Sequence, residues 1–157
     1  MPTSPTTPDT TDASSCLAAE LADRLARGVC RALTELGYGV LTEFALASGR
    51  RVDVIGVDAR GGMVIVEIKT SVADFRCDRK WPEYLEFCDL FYFAVPAEFP
   101  RDLLPDTCGL MVADAYGAEI IRPAPVLAMN GSRRRAQTLR IARTASQRLR
   151  RLIDPPL

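Results

Sequence analysis

Two adjacent runs of strand-forming residues carry charged side chains inside otherwise apolar sequence. The runs are Arg51–Val57 and Met63–Lys69, and inside them lie Asp53, Glu67 and Lys69. Charged groups are costly to bury in a strand unless another group compensates them. The fold must therefore supply a partner for these three side chains, and this requirement is the strongest constraint in the sequence.

The glycine-containing linker Asp58–Gly62 predicts that the two runs form a hairpin. A loop of three or five residues centred on Arg60 makes opposed residue numbers sum to 120, which sets Asp53 against Glu67. Directly opposed side chains share a face with their Cβ atoms roughly 5 Å apart, and Lys69 lies two residues along that face. Because two carboxylates this close are destabilising without a cation between them, this register predicts a hard-metal site. A two-residue loop would not produce it.

Composition narrows the classes of function. The chain has 157 residues, 48% of them hydrophobic and 25% charged, which is typical of one soluble globular domain. It contains no histidine, which excludes Ser-His-Asp and Cys-His catalysis, zinc hydrolases with histidine ligands, and zinc deaminases. Five scattered cysteines predict reduced thiols and a cytoplasmic protein. The sequence has no long apolar run and no export signal, so no membrane association is expected.

Residues 1–15 are rich in Thr, Ser, Pro and Asp and are predicted to be a disordered leader, residues 16–153 a single domain and residues 154–157 a tail. Hydrophobic periodicity predicts a first helix over Cys16–Leu36, a loop or short turn followed by a helix starting near Trp81, and a last helix over Arg133–Ile153. The predicted strands are Tyr38–Ala47, Arg51–Val57, Met63–Lys69, Asp89–Val95, Gly109–Ala113 and Ala118–Ile121. This order predicts an α/β fold with a mixed central sheet flanked by helices.

The last helix is amphipathic and strongly basic. Residues 131–157 hold eight arginines and one aspartate, whereas residues 1–130 hold 12 basic and 19 acidic side chains. Arginine suits bidentate contact with DNA phosphates, which makes Arg140 and Arg143 candidate DNA contacts, although a solvated helix face is the commoner explanation of such a run. The apolar side of this helix consists of Leu139, Ala142, Ala145, Leu149, Leu152 and Ile153.

A helix, then strands, then Asp53 and the Glu67-Ile-Lys69 motif followed by a helix resembles the PD-(D/E)XK nuclease superfamily. More narrowly, the chain is similar to the MmcB group of bacterial DNA-repair endonucleases over about residues 20 to 150. The short Glu67-Ile-Lys69 motif alone is nonspecific, whereas the long block Val66–Pro96 is more specific evidence for this group. The segments that carry the resemblance are Arg27–Cys30, Glu43-Phe44, Gly49–Asp53, Val66–Phe75, Asp78–Tyr84 and Phe91–Pro96.

The resemblance implies a restriction-endonuclease-like αβββαβ core and a Mg²⁺-dependent DNA endonuclease that acts in repair, with Mn²⁺ as an alternative ion. Asp53 and Glu67 would hold the ion together with the backbone carbonyl of Ile68, and Lys69 would orient or activate the attacking water. These residue types suit the chemistry, because Mg²⁺ prefers oxygen ligands and retains several waters. DNA is the implied partner, with repair proteins as further partners.

The sequence departs from the superfamily pattern in two places. Val52 replaces the usual proline before Asp53, and Arg27-Gly28 stands where many members carry a metal-facing glutamate on the first helix. Glu43 on the first strand is the replacement candidate for a catalytic carboxylate, although an ordinary structural role for it is equally consistent with the sequence.

The segment after the motif is predicted to border the cleft. Ser71, Lys80 and Trp81, together with Arg51, are the candidate nucleic-acid contacts there, because basic groups beside aromatic side chains suit unpaired bases and phosphates. The alternative for Trp81 and for its neighbour Tyr84 is that they pack the helix against the sheet.

Three hypotheses follow. The first is the nuclease, the second is a nuclease-fold DNA-binding repair factor that cuts poorly or not at all, and the third is a protein-interaction scaffold that uses the last helix. A surface salt-bridge cluster at the sheet end, with Arg51 balancing the acids, remains the structural alternative to a catalytic site.

Overall fold

The computed structural model describes residues 10–156, with side chains described from residue 14 onward. Short 3₁₀ segments cover Trp81–Phe87 and Arg101–Leu103. The helices and strands are α1 (Thr10–Glu35), β1 (Gly39–Ala45), β2 (Arg51–Val57), β3 (Met63–Ile68), α2 (Val72–Cys77), β4 (Leu90–Val95), β5 (Gly109–Ala113), β6 (Ala118–Arg122) and α3 (Gly131–Ile153).

All six strands form one sheet in the order β1-β2-β3-β4-β5-β6. The β1–β2, β2–β3 and β5–β6 pairs are antiparallel, whereas β3–β4 and β4–β5 are parallel. The predicted α/β fold with a mixed sheet is therefore confirmed, and the first six elements follow the predicted order αβββαβ.

Apolar side chains cover both faces of the sheet. On one face α1 packs through Leu25, Val29 and Leu33. On the other face the 3₁₀ segment Trp81–Phe87 and α3 cover an aromatic core, to which α3 contributes Ile141. Since the central strand β3 is buried along its whole length, any polar group on it must find a partner within the protein.

Two helix predictions need correction. α1 begins at Thr10, so residues 10–15 belong to the helix and not to the predicted leader, of which residues 1–9 lie outside the described part. The segment after β3 forms the short helix α2 and then a 3₁₀ segment from Trp81, where a loop and a longer helix were predicted. None of the helices in the described residues is long and apolar enough to cross a membrane.

α3 packs with a different side from the one that its apolar pattern indicates. Its buried residues are Gln137 and Ile141, and the Gln137 side-chain amide donates to the carbonyl of Phe87 at 2.5 Å. Arg134 makes a bidentate ion pair with Asp89, with both contacts at 2.6 Å. Polar anchors therefore set the rotation of α3. The large apolar side chains left exposed on it are Leu139, Leu149, Leu152 and Ile153.

Replacing Gly28 by alanine is expected to lower the free energy of unfolding by about 1–3 kcal/mol. A Cβ at Gly28 would lie 2.0 Å from the carbonyl oxygen of Asp114 and 2.5 Å from that of Gly117, because α1 passes directly over the turn between β5 and β6. Chemical denaturation measures the loss. Gly131→Ala is the matched control, since a Cβ there meets nothing within 4 Å. Equal stability of the two variants would contradict the close approach.

Candidate active site

The hairpin register is the one that the sequence predicts. In the β2–β3 ladder Ile55 is opposite Ile65 and Val57 is opposite Met63, so opposed residue numbers sum to 120. The intervening loop closes through a bond from the Asp58 N–H to the Gly62 carbonyl at 2.9 Å. This register brings the two charged stretches to the same end of the sheet.

The ladder stops one position before the acidic residues would pair. Its last pair is Val54 with Val66, and the Asp53 carboxylate then accepts a hydrogen bond from the N–H of Ile68 at 2.7 Å. The two carboxylates border different depressions, Asp53 on the α1 side and Glu67 on the α2 side. The ladder therefore does not extend to the predicted pair of Asp53 and Glu67, although the two lie close enough for the charge of Asp53 to raise the pKa of Glu67.

A break in strand alternation at Asp53 explains this arrangement. Val52 and Val54 lie two positions apart, yet they pack in cores on opposite faces of the sheet. The β1–β2 ladder is continuous on both sides of this point but has no pair between Glu43 and Asp53. Glu43 has a φ of 48°, a left-handed conformation that is uncommon outside glycine and marks local strain. The irregular residue of β1 thus lies directly beside Asp53.

Arg148 of α3 holds this irregular stretch of β1. Its guanidinium donates to the carbonyl of Thr42 at 2.6 Å and to the carbonyl of Glu43 at 2.9 Å. A solvated face is the common position for arginines of such a run, but the structure turns Arg148 toward β1. A planar guanidinium suits two adjacent carbonyl acceptors, so Arg148 stabilises the conformation next to Asp53.

The variant Arg148→Ala is expected to lose about 2 kcal/mol of stability, since two carbonyls lose hydrogen bonds from a charged donor. Urea denaturation measures this loss. Arg143→Ala serves as the control, because Arg143 is exposed and has no ion-pair partner among the described residues. An Arg148→Ala variant as stable as the control would show that the two bonds contribute nothing.

Lys69 is almost fully buried and is surrounded by carboxylates. Its ammonium lies 2.7 Å from Asp78, 3.5 Å from Glu67 and 3.9 Å from Asp74, and only 4% of the residue is exposed. Burial alone would lower the pKa of Lys69, but the hydrogen bond with Asp78 and the charges of the other two acids outweigh it and raise the pKa. Lys69 therefore stays charged and compensates part of a cluster that contains three acids.

Glu67 is the least satisfied group of this cluster. It is 6% exposed, and its Oε2 atom has no hydrogen-bond partner among the described residues. Burial, and then the charge of Asp53, raise the pKa of Glu67 to about 8. A buried carboxylate oxygen without a partner favours a proton or a cation as its neighbour.

Asp53 borders a depression of about 330 Å³ between α1 and the strands. Burial raises the pKa of Asp53 despite the bond from Ile68. Asp23 of α1 lines the same depression, together with Arg27 four residues further along the helix. The sequence comparison placed the missing helix acid at Arg27-Gly28 and overlooked Asp23, although residues four apart share a helix face. Gly28 itself has no room for a side chain.

The donor chemistry of this strand end fits Mg²⁺. The groups are an orphaned buried oxygen of Glu67, the half-buried carboxylate of Asp53 and the adjoining backbone of Ile68. Two carboxylates with waters and a substrate phosphate suffice for Mg²⁺, which rarely uses an all-protein cage. No group of three or more Cys, Asp or Glu in residues 10–156 is arranged to hold a metal by itself.

Two predicted site residues form an ion pair at the rim. The Glu43 carboxylate lies 2.7 Å from the guanidinium Nε of Arg51, and both side chains are exposed. Arg51 borders the depression that contains Lys69, whereas Glu43 borders the one that contains Asp53. Glu43 thus lies near Asp53, and its negative charge is balanced by Arg51.

The remaining candidates are spread over four locations. Lys80 is exposed at the rim of the Lys69 depression. Ser71 is the N-cap of α2 and accepts a hydrogen bond from the N–H of Asp74 at 3.1 Å. Trp81 stacks on Phe91 with ring centres 5.7 Å apart, so it packs the 3₁₀ segment onto the sheet, as its structural alternative predicts. The structure does not bring Arg140 and Arg143 to this site, because they border a separate depression on α3.

Asp78 belongs to the Lys69 cluster, although the Glu67-Ile-Lys69 motif does not indicate it. Its carboxylate makes the shortest contact with Lys69 and also accepts the N–H of Lys80 at 2.8 Å. These bonds outweigh burial and lower the pKa of Asp78. The spacing of the Glu67-Ile-Lys69 motif does not indicate this acid, because Asp78 lies at the C-terminal end of α2.

Fold and site together define an α/β domain that carries a buried cluster of carboxylates and one lysine at the end of its central strands. The chain belongs to the MmcB-like family of DNA repair proteins, whose family model, "DNA repair protein MmcB-like", matches residues 9–156. Among solved structures it is similar to the "SPO1766 protein of unknown function from Silicibacter pomeroyi", with 46% identity, a TM-score of 0.82, and coverage of 85% of this chain and 92% of that chain. No curated protein matches the chain. The predicted family is confirmed, and the family supports a role in DNA repair.

Proposed function

We propose that this protein is a Mg²⁺-dependent DNA endonuclease of the PD-(D/E)XK type that hydrolyses phosphodiester bonds during DNA repair. The observation that carries the proposal is the buried Glu67 oxygen without a partner, next to Lys69 and to an Asp53 carboxylate fixed by Ile68. An arrangement of this kind is costly for stability alone and is typical of functional sites. Membership of a DNA repair family makes DNA the natural substrate.

Asp53, Glu67 and the carbonyl of Ile68 would hold the ion, which when bound supplies charge stabilisation and an acidified water. Lys69 remains protonated because of its three acidic neighbours, so its role is to orient the attacking water and offset phosphate charge. Arg51 and Lys80 are exposed at the rim of the depression that contains Lys69, and Ser71 is exposed at the N-cap of α2. These side chains suit contact with the DNA backbone. Trp81 packs on Phe91 and is half-buried, so only the exposed part of its side chain is available to DNA.

Cleavage of single-stranded, nicked and branched DNA in the presence of Mg²⁺ or Mn²⁺ tests the proposal. The variant Asp53→Asn is expected to reduce cleavage by about a thousandfold or more, because it removes a charged metal ligand. Asp106→Asn, a change at an exposed aspartate, is the matched control. Cleavage by Asp53→Asn at the control rate would contradict the assignment.

Calorimetric titration with Mn²⁺ tests metal binding separately from turnover. The protein is expected to bind the ion, and Glu67→Ala is expected to weaken binding by about tenfold or more. Equal affinity in the two proteins would show that the orphaned oxygen is not a metal ligand.

A nuclease-fold DNA-binding factor that cuts poorly is the second candidate. It is favoured by the 2.7 Å contact between Lys69 and Asp78, because a lysine that is held by Asp78 is less available to orient an attacking water. This candidate predicts salt-dependent DNA binding without measurable Mn²⁺ binding.

A further inference from the structure

α3 leaves a row of large aliphatic side chains in solvent. Leu139 and Leu149 are each 58% exposed, and Ile153 is 70% exposed. Single exposed leucines are ordinary, but several on one side of one helix mark an interaction surface more often than chance exposure. The packing of α3 on the domain does not account for them, since it uses Gln137 and Ile141 instead.

The spacing of this row is that of a coiled-coil seam. Leu139, Ala142, Ser146, Leu149 and Ile153 follow one another at alternating intervals of three and four residues. Such spacing keeps side chains on one line along a helix and allows a second helix to pack against them. We call these five residues the α3 seam.

The charges beside the α3 seam select the kind of partner. α3 has eight arginines and no acidic residue, and Arg143 and Arg150 directly flank the seam. A second copy of α3 would therefore bring like charges together. A DNA backbone would satisfy arginines but would leave the leucines exposed to water. A helix with leucines on one side and glutamates beside them matches both features.

We propose that the α3 seam is the docking site for an acidic amphipathic helix of a partner protein. Helix-against-helix recognition uses apolar anchors at this spacing, and flanking charges set the choice of partner. The proposal goes beyond the nuclease function and does not depend on it, because the seam shares no residue with the Asp53 and Lys69 cluster.

The probe is a synthetic peptide of about four heptads with leucine at the a and d positions and glutamate at the e and g positions. Glutamates at both flanking positions limit self-association of the peptide. Its counterpart carries lysine in place of every glutamate. Fluorescence anisotropy of each labelled peptide with the full-length protein measures binding, and the acidic peptide is expected to bind at least about tenfold more tightly than the basic one.

The double variant Leu149→Gln/Ile153→Gln tests the seam itself. It is expected to weaken binding of the acidic peptide by about tenfold or more, since it removes two apolar anchors. Both positions are exposed, so the fold is expected to remain intact, which circular dichroism checks. Leu17→Gln is the matched control, because Leu17 is a helical leucine of α1 that is 66% exposed and lies outside the seam.

Three results would overturn the proposal. Binding of the acidic peptide that is unchanged in the double variant would indicate attraction by arginines alone. Self-association of the protein that is lost in the double variant would make a second copy the occupant. Loss of duplex DNA binding in the double variant, with no binding of the acidic peptide, would make the row part of a nucleic-acid surface.

Discussion

Replacing Glu67 by glutamine is expected to raise the free energy of unfolding at pH 8 by on the order of 3 kcal/mol and to change it little below pH 4.5. The carboxyl of Glu67 has an ordinary pKa of 4.5 when exposed and a pKa of about 8 in the folded protein. The folded state therefore binds this proton more tightly than the unfolded state. As the pH rises from 4.5 toward 8, the unfolded state releases the proton first and the native protein becomes less stable.

Urea denaturation of both proteins across this pH range measures the effect. Glu98→Gln is the matched control, since Glu98 is an exposed glutamate far from the cluster in sequence. If the difference between wild type and Glu67→Gln is the same at every pH, Glu67 is ionised at an ordinary pKa. Saturating Mn²⁺ is expected to stabilise the wild type more than Glu67→Gln at pH 8, because the ion replaces the proton.

Replacing Lys69 by methionine is expected to cost about 3–5 kcal/mol of stability at pH 8, because it leaves buried acids without their cation. The contact with Asp78 at 2.7 Å carries most of this effect at pH 8, since bonds from Lys69 and Lys80 lower the pKa of Asp78 and keep it ionised there. The loss is expected to shrink at low pH, where Glu67 is protonated. The proposed DNA cleavage is expected to disappear as well.

The protein offers a close control for this change. Lys80 is the only other lysine of the chain and is exposed at the rim of the same depression. Lys80→Met is expected to leave stability within about 0.5 kcal/mol of wild type. The double variant Glu67→Gln/Lys69→Met is expected to recover part of the loss, because the two charges interact. A Lys69→Met protein as stable as Lys80→Met would show that the cluster is not held by this ion pair.

The sequence allowed the hairpin and its register to be predicted because both depend on local features. The glycines of Asp58–Gly62 predicted the reversal, and a loop centred on Arg60 predicted the pairing of Ile55 with Ile65. The break in alternation at Asp53 was not predictable. It involves the left-handed Glu43, which is held by Arg148 from a position 105 residues away. No window of local sequence contains that contact.

The rotation of α3 shows a second limit of sequence patterns. A helical wheel identifies an apolar side correctly but does not say what that side contacts. In this protein the bidentate pair between Arg134 and Asp89 and the bond from Gln137 to Phe87 fix the helix with its leucines outward. These partners are 45 and 50 residues apart along the chain, so periodicity alone cannot find them.

The two arginine anchors of α3 also have a consequence for biosynthesis. Arg134 ties the start of α3 to Asp89 before β4, and Arg148 ties its later part to β1. A ribosome-bound chain that has exposed all six strands, but not yet α3, lacks the donors that hold the strand next to Asp53. Such a chain can assemble its sheet while the irregular stretch of β1 beside Asp53 still lacks the Arg148 guanidinium. Completion of the site around Asp53 therefore requires α3, which follows all six strands along the chain.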